Sequence, residues 1–192
     1  LHDALPIYYS SVAFWYQQEP HATQRAISTR PEDLLAATLP NPYRLHNLIE
    51  GESLLATLET SAGETKVFGF GKLTTRFSDD LLLLWLASGR NATLTLRLPV
   101  GQAGWYELWG YFSKSDDHAQ FLFSKKGVAL GVPVDLYDPD VAGIASGPIR
   151  LGKAMFQIGP NSIELKVVGR NAKATGYAIG IDGFMLRAVK GP

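Results

Sequence analysis

The fold is decided by the stretch Thr93-Leu94-Thr95-Leu96-Arg97-Leu98-Pro99-Val100, in which leucine alternates with polar residues over the first six positions. Successive side chains of a β-strand point to opposite faces, so this pattern places the leucines in a core and their neighbours in water. The same alternation returns in Ser162–Val168, where Ile163, Leu165 and Val167 are the apolar positions. Two half-buried strands of this kind predict a core enclosed between sheets.

Eight further segments have strand composition: Ile49–Leu58, Lys66–Phe70, Leu81–Ala87, Trp105–Phe112, Ala119–Phe123, Val132–Tyr137, Ile149–Phe156 and Ala178–Leu186. Turn residues such as Gly89-Arg90-Asn91 and Gly159-Pro160-Asn161 separate neighbouring segments. Many short strands with no helical segment between them predict an all-β, antiparallel sandwich.

Composition excludes several function classes. The chain has 192 residues, 18 basic and 18 acidic, so the excess of positive charge that favours nucleic acid or an anionic membrane is missing. It has no cysteine, which excludes disulfides, cysteine-bound zinc and thiol catalysis. The longest apolar run, Leu81–Ala87, is far shorter than the ~20 residues of a membrane-spanning helix.

The segment Tyr8–His21 has an unusual place in the chain. Its first residues are β-branched, aromatic or small and predict a strand with two apolar faces, but almost nothing precedes it. The preceding Leu1–Ile7 is similar to the translation of a short-read sequencing adapter, and we exclude it as non-native. We therefore expect this orphan strand to be the end of a domain whose beginning is absent.

The orphan strand also carries a family resemblance. Tyr9–Gln17, followed by Pro20-His21, resembles the closing strand of the core jelly roll of glycoside hydrolase family 172, whose characterised members act on fructofuranosides and arabinofuranosides. Residues Glu50 to Leu186 are more loosely similar to the C-terminal β-sandwich of some members. The resemblance implies a C-terminal fragment, with catalytic carboxylates upstream of the strand and therefore no catalytic residue here.

This comparison divides the chain into an orphan strand (8–21), a linker (22–47) and an accessory β-sandwich (48–189). The linker contains one predicted short helix, because Thr29–Glu32 has capping-box spacing and Pro40 ends the pattern. Leu151-Gly152, Gly159–Leu165 and Gly180–Leu186 recur as a set in jelly rolls of the carbohydrate-binding type. We therefore expect the sandwich to be an antiparallel jelly roll.

The candidate binding residues lie on one predicted strand, Trp105–Phe112. Alternation places Trp105, Glu107, Trp109 and Tyr111 on one face, with successive positions about 7 Å apart. Such rings can stack on sugars while the carboxylate accepts hydroxyl protons. They can also pack against the missing domain or another subunit, which is the interpretation that we favour from the residues, or belong to a plain core.

Support for catalysis is weak. The chain has no Gly-x-Ser-x-Gly elbow, and its histidines are scattered. Glu107, Asp135 and Asp182 are the carboxylates that would have to converge for glycoside hydrolysis. Asp116-Asp117 and Asp138-Pro139-Asp140 are possible calcium ligands, but aspartate at turns favours a role in turn formation. We expect no catalytic residue, no cofactor and no bound metal.

The sequence therefore predicts a non-catalytic accessory domain, either carbohydrate-binding or involved in assembly, of a glycoside hydrolase-like protein acting on furanosides. The alternative is a purely structural interdomain or oligomerisation sandwich without glycan affinity. The expected partners are the missing N-terminal catalytic domain, an oligosaccharide and further copies of the parent protein. Neither nucleic acid nor membrane is expected, and a periplasmic or secreted location is favoured over the cytoplasm.

Overall fold

A computed structural model of the chain describes residues 44–69, 77–139 and 143–191. In these residues the fold is a jelly-roll β-sandwich of two antiparallel sheets, which confirms the predicted fold class. The predicted orphan strand, the residues before it and the linker helix lie outside the described residues, so those expectations stay predictions.

The described residues form twelve strands. In chain order they are β1 (Ile49–Glu50), β2 (Glu59–Thr60), β3 (Glu64–Gly69), β4 (Leu81–Leu86), β5 (Thr93–Val100), β6 (Gly104–Lys114), β7 (Ala119–Lys125), β8 (Val128–Ala129), β9 (Val134–Asp135), β10 (Ile144–Phe156), β11 (Gly159–Arg170) and β12 (Ala178–Ala188). Two short 3-10 segments, Glu52–Thr57 and Ser78–Asp80, interrupt them.

The first sheet has the strand order β10-β6-β12-β4-β3, with β1 paired to β12. The second has the order β2-β5-β11-β7-β8, with β9 paired to β7. Strand β6 is therefore flanked on both sides, and Glu107 lies opposite Lys153 of β10 and Arg187 of β12. This register brings side chains from three strands onto the same surface.

The core lies between the two sheets and follows the predicted alternation. Leu94, Leu96 and Leu98 of β5 are fully buried, while Arg97 is exposed. Burying one such leucine stabilises the fold by about 1.5–3 kcal/mol. An aromatic cluster fills the centre, with ring centroids 5.0 to 6.1 Å apart: Phe112, Phe121, Phe123 and Phe184.

The prediction of one strand over Ile49–Leu58 is wrong. The chain leaves the sheet after β1 because Gly51 packs directly on β12, where an added Cβ would lie 2.3 Å from the carbonyl oxygen of Ile181. The 3-10 segment Glu52–Thr57 follows and buries Leu54. Here the close packing of the backbone at Gly51 outweighs the tendency of the following residues to form a strand.

The predicted strand Val132–Tyr137 is shorter in the structure, where β9 covers only Val134–Asp135. Val132 is 79% exposed, and Pro133 has no N–H to donate to a neighbouring strand. The remaining predicted strands differ from the observed ones mainly at their ends.

Candidate functional site

Strand β6 separates core residues from outward-facing residues. Its inward side chains Leu108 and Phe112 are buried in the core. The four sequence-predicted residues occupy the alternate positions on the opposite side of the sheet and are half-buried: Trp105, Glu107, Trp109 and Tyr111. With the neighbouring Arg150, Lys153 and Arg187 they form a surface that we call the outer face.

Glu107 is held in place by β10. The Nε and Nη2 atoms of Arg150 both lie 2.9 Å from Oε1 of Glu107. The Arg150 side chain is 53% exposed, and surface ion pairs of this kind contribute only about 0–1 kcal/mol to folding. The pair therefore orients the carboxylate in the middle of the outer face more than it stabilises the fold.

Each indole of the outer face has a cation over its ring. The guanidinium carbon of Arg187 lies 4.6 Å from the ring centroid of Trp109, and Nζ of Lys153 lies 5.5 Å from that of Trp105. Such contacts stabilise by about 0.5–1 kcal/mol at exposed sites, so the cations cover the rings but can be displaced. Among the described residues, neither Lys153 nor Arg187 forms a salt bridge.

The indole of Trp109 has a further property. Its Nε1–H is shielded from solvent and has no hydrogen-bond partner in the described part of the chain. A buried donor without a partner costs about 1–3 kcal/mol. Among the described residues, the indole of Trp109 therefore has one unsatisfied polar group.

A cavity of about 320 Å³ adjoins the Tyr111 end of the outer face. Tyr111 and Pro148 line it on the side of the rings, and Asp182 lines it from β12. Its volume is at the lower end of the range for small-ligand sites. The row of rings therefore adjoins a mostly apolar recess.

Asp182 is buried and unusually basic for a carboxylate. Its Oδ1 accepts a hydrogen bond of 2.8 Å from the backbone N–H of Ser78. Burial, together with the negative charges of Glu50, Glu52 and Asp79, raises its pKa to about 7. This carboxyl group therefore changes its charge near neutral pH.

Other carboxylates crowd the same region. The hydroxyl of Ser78 donates to Oε1 of Glu50 over 2.8 Å, and Arg44 pairs with Asp79. Burial raises the pKa of both Glu50 and Glu52. One oxygen each of Glu50, Glu52 and Asp80 is buried without a partner in the described residues. Full ionisation of these carboxyl groups therefore destabilises the folded protein.

The three carboxylates considered for catalysis do not come together. Asp135 belongs to the second sheet, whereas Glu107 and Asp182 belong to the first. Tyr111 pairs with Gly183, next to Asp182, and lies four residues from Glu107 along β6. At ~3.3 Å a residue their backbones are roughly 13 Å apart along the strand, and the two carboxylates have separate partners, Arg150 and the N–H of Ser78.

The sequence analysis did not predict a chain of hydrogen bonds that links Ser113, His118 and Asp117, which we call the relay. Nδ1 of His118 lies 2.7 Å from Oδ1 of Asp117, and Nε2 lies 2.7 Å from Oγ of Ser113. The hydrogen bond with His118 lowers the pKa of Asp117. Ser113 is only 3% exposed, and an added Cβ on Gly180 would lie 2.1 Å from its hydroxyl, so β12 covers it. The relay therefore holds the β6–β7 turn rather than a substrate.

The loop carboxylates considered for calcium have other partners. The carboxylate of Asp117 belongs to the relay, and Oδ1 of Asp116 accepts from the hydroxyl of Ser115 over 3.4 Å. Asp140 lies outside the described residues. No group of three or more potential ligands is arranged for a metal within residues 44–69, 77–139 and 143–191. In the same residues no helix is long and apolar enough to span a bilayer.

Comparisons with known proteins bear on the fold. No family model and no curated protein matches the chain. A xanthan lyase from Paenibacillus is 21% identical over 78% of this chain and 14% of the enzyme, with a TM-score of 0.62. The chain thus corresponds to a small part of that enzyme, and the similarity shows the fold.

Two isolated family 35 carbohydrate-binding modules are also similar. The modules from Paenibacillus barcinonensis and Clostridium thermocellum are 9% and 10% identical, respectively, each over 74% of this chain. The alignments cover 98% and 97% of the modules, with TM-scores of 0.48 for both. The expected relationship to glycoside hydrolase family 172 and the expected fragment status stay predictions.

Proposed function

We propose that residues 48–189 form a non-catalytic accessory domain that binds carbohydrate through the outer face. The observation that carries this proposal is the row of Trp105, Trp109 and Tyr111 on alternate positions of a central strand, with Glu107 among them. Aromatic rings stack on the apolar faces of sugars, and an oriented carboxylate accepts hydroxyl protons. The recess beside Tyr111 gives one end of a saccharide a place to enter.

Charge in the middle of the outer face supports sugar binding over permanent protein packing. Glu107 and Lys153 lie next to each other in the register of β6 and β10, and lysine and glutamate are depleted from the buried centres of protein interfaces. The alternative is a structural domain whose outer face docks on another domain or subunit.

The sequence resemblance of Tyr9–His21 supports the wider context of the proposal. The parent protein would be a glycoside hydrolase-like enzyme acting on fructo- or arabinofuranosides, in which this domain assists an N-terminal catalytic domain. A homo-oligomeric parent and a periplasmic or secreted location belong to the same proposal.

Isothermal titration calorimetry with a panel of fructan, arabinan and other oligosaccharides tests the proposal. The full chain should bind at least one of them, and Trp105→Ala or Trp109→Ala should weaken binding at least about fivefold, or ~1 kcal/mol. Phe68→Ala removes a ring that is 42% exposed on β3, three strands from β6, and should leave affinity unchanged.

The same variants identify the alternative. If no oligosaccharide binds and Trp109→Ala instead changes the oligomeric state in light scattering, the outer face is an assembly surface. Equal loss of affinity in the Phe68→Ala variant would also contradict the proposal, because the effect would then be unrelated to the outer face.

A further inference from the structure

The outer face carries a local excess of positive charge in a chain whose overall charge is zero. Arg150 and Lys153 of β10 and Arg187 of β12 supply three cations, and Glu107 supplies one carboxylate. Arg150 pairs with Glu107, whereas in residues 44–69, 77–139 and 143–191 neither Lys153 nor Arg187 forms a salt bridge. Within this part of the chain two cations therefore have no carboxylate partner, one on each side of the row of rings.

The two remaining cations are placed symmetrically about β6. Lys153 and Arg187 both lie opposite Glu107, one on each neighbouring strand, so their backbones are about 10 Å apart. Their side chains then diverge along β6, because Lys153 covers Trp105 and Arg187 covers Trp109. Each indole is therefore accompanied by its own cation.

This arrangement treats neutral and acidic sugars differently. A neutral sugar that stacks on Trp109 displaces Arg187 and offers that cation only uncharged oxygen acceptors in return. A carboxylate-bearing sugar displaces the same cation but also pairs with it, and guanidinium matches carboxylate with two parallel hydrogen bonds. Because a cation covers the ring, a sugar with a complementary negative charge should bind more tightly than a neutral one.

We propose that the outer face binds an acidic, uronate-bearing oligosaccharide, whose carboxylates pair with Lys153 and Arg187 while its sugar rings stack on Trp105 and Trp109. This inference rests on the proposed carbohydrate-binding function and names its ligand class. The indole Nε1–H of Trp109, which has no hydrogen-bond partner in the described residues, is a further donor on the same side chain.

Matched pairs of ligands provide the test. Oligogalacturonates and glucuronate-substituted xylo-oligosaccharides are titrated beside their methyl-esterified counterparts, which keep the sugar and remove the charge. The full chain should bind at least one acidic member about tenfold more tightly than its neutral counterpart, or ~1.4 kcal/mol. The difference should shrink as salt is raised, because exposed charges are screened.

Charge variants locate the effect. Lys153→Gln combined with Arg187→Gln should abolish the preference, so that the affinity for the acidic member falls to that for its neutral counterpart. Lys166→Gln is the control, since Lys166 is exposed on β11 in the other sheet. The Lys166→Gln variant should prefer the acidic ligand over its neutral counterpart as strongly as the unchanged protein does. Near-UV circular dichroism verifies that every variant is folded.

Four results would overturn the inference. Equal affinity for acidic and neutral members, with binding still lost in Trp105→Ala, refutes the acidic ligand class and leaves the carbohydrate-binding proposal intact. A preference that survives the double substitution shows that these cations are not responsible. Equal binding of poly-glutamate reveals a general anion surface. Failure to bind any oligosaccharide refutes the proposed function itself.

Discussion

The buried carboxyl group of Asp182 makes the stability of this domain depend on pH. Its pKa of about 7 in the folded protein compares with ~3.9 for an unperturbed aspartate in an unfolded chain. A group with a raised folded pKa contributes stability that is complete below the unfolded value and lost as pH rises through the folded value. The free energy of unfolding should therefore fall between about pH 4 and pH 7.

The magnitude follows from the shift. About three pKa units at 1.36 kcal/mol each give roughly 4 kcal/mol as an upper bound. The substitution Asp182→Asn removes the charge and keeps an oxygen that can accept from the N–H of Ser78. The variant should match the unchanged protein near pH 4 and exceed it by up to ~4 kcal/mol near pH 8. In the variant, the free energy of unfolding should still fall somewhat as pH rises, because burial raises the pKa of Glu50 and Glu52 too.

Urea unfolding followed by tryptophan fluorescence at a series of pH values measures this effect. Asp135→Asn is the control. Burial works to raise the pKa of Asp135, but hydrogen bonds with Gln120, Asn171 and the N–H of Tyr137 lower it overall. Its stabilisation is lost only as pH falls through that lowered value, so its substitution should leave the slope above pH ~4 unchanged. Parallel pH curves for Asp182→Asn and the unchanged protein would refute the reasoning.

Other consequences concern packing. Gly152→Ala should destabilise by more than about 2 kcal/mol, because Gly152 has φ +150° and a Cβ would lie 1.5 Å from the oxygen of Leu130. Gly101→Ala meets nothing within 4 Å and should stay within ~0.5 kcal/mol in the same urea titrations. His118→Ala removes both hydrogen bonds of the relay and should lower the unfolding free energy by about 1–3 kcal/mol. An unchanged thermal midpoint in that variant would contradict the structural role of the relay.

The sandwich was predictable because most of its strands can be recognised from the local pattern of apolar and polar residues. The alternation in β5 and β11 matches the observed burial, and the observed bounds of β5 are those predicted. The two faces of β6 were also predictable, since Leu108 and Trp109 differ in burial as the period of two requires. Their ligand stays a proposal, because side-chain direction does not specify what is bound.

The features that the sequence did not reveal depend on contacts distant along the chain. Ser78 and Asp182 are 104 residues apart, and only the folded sheet brings them together. The cations over the indoles depend on the register of β10 and β12 with β6, and β10 contains two irregularities that no local pattern predicts. The misassigned strand after Ile49 has the same origin, because the close approach of Gly51 to β12 is visible only in three dimensions.

The central claim concerns the indoles of the outer face, and their N–H signals in 1H–15N spectra report on them directly. Titration with an oligosaccharide that binds should shift the signals of Trp105 and Trp109 in a saturable manner. The signal of Trp85 should stay in place, because this residue is fully buried in the core. Shifts confined to tryptophans outside the outer face, with Trp105 and Trp109 unchanged at saturation, would contradict the account.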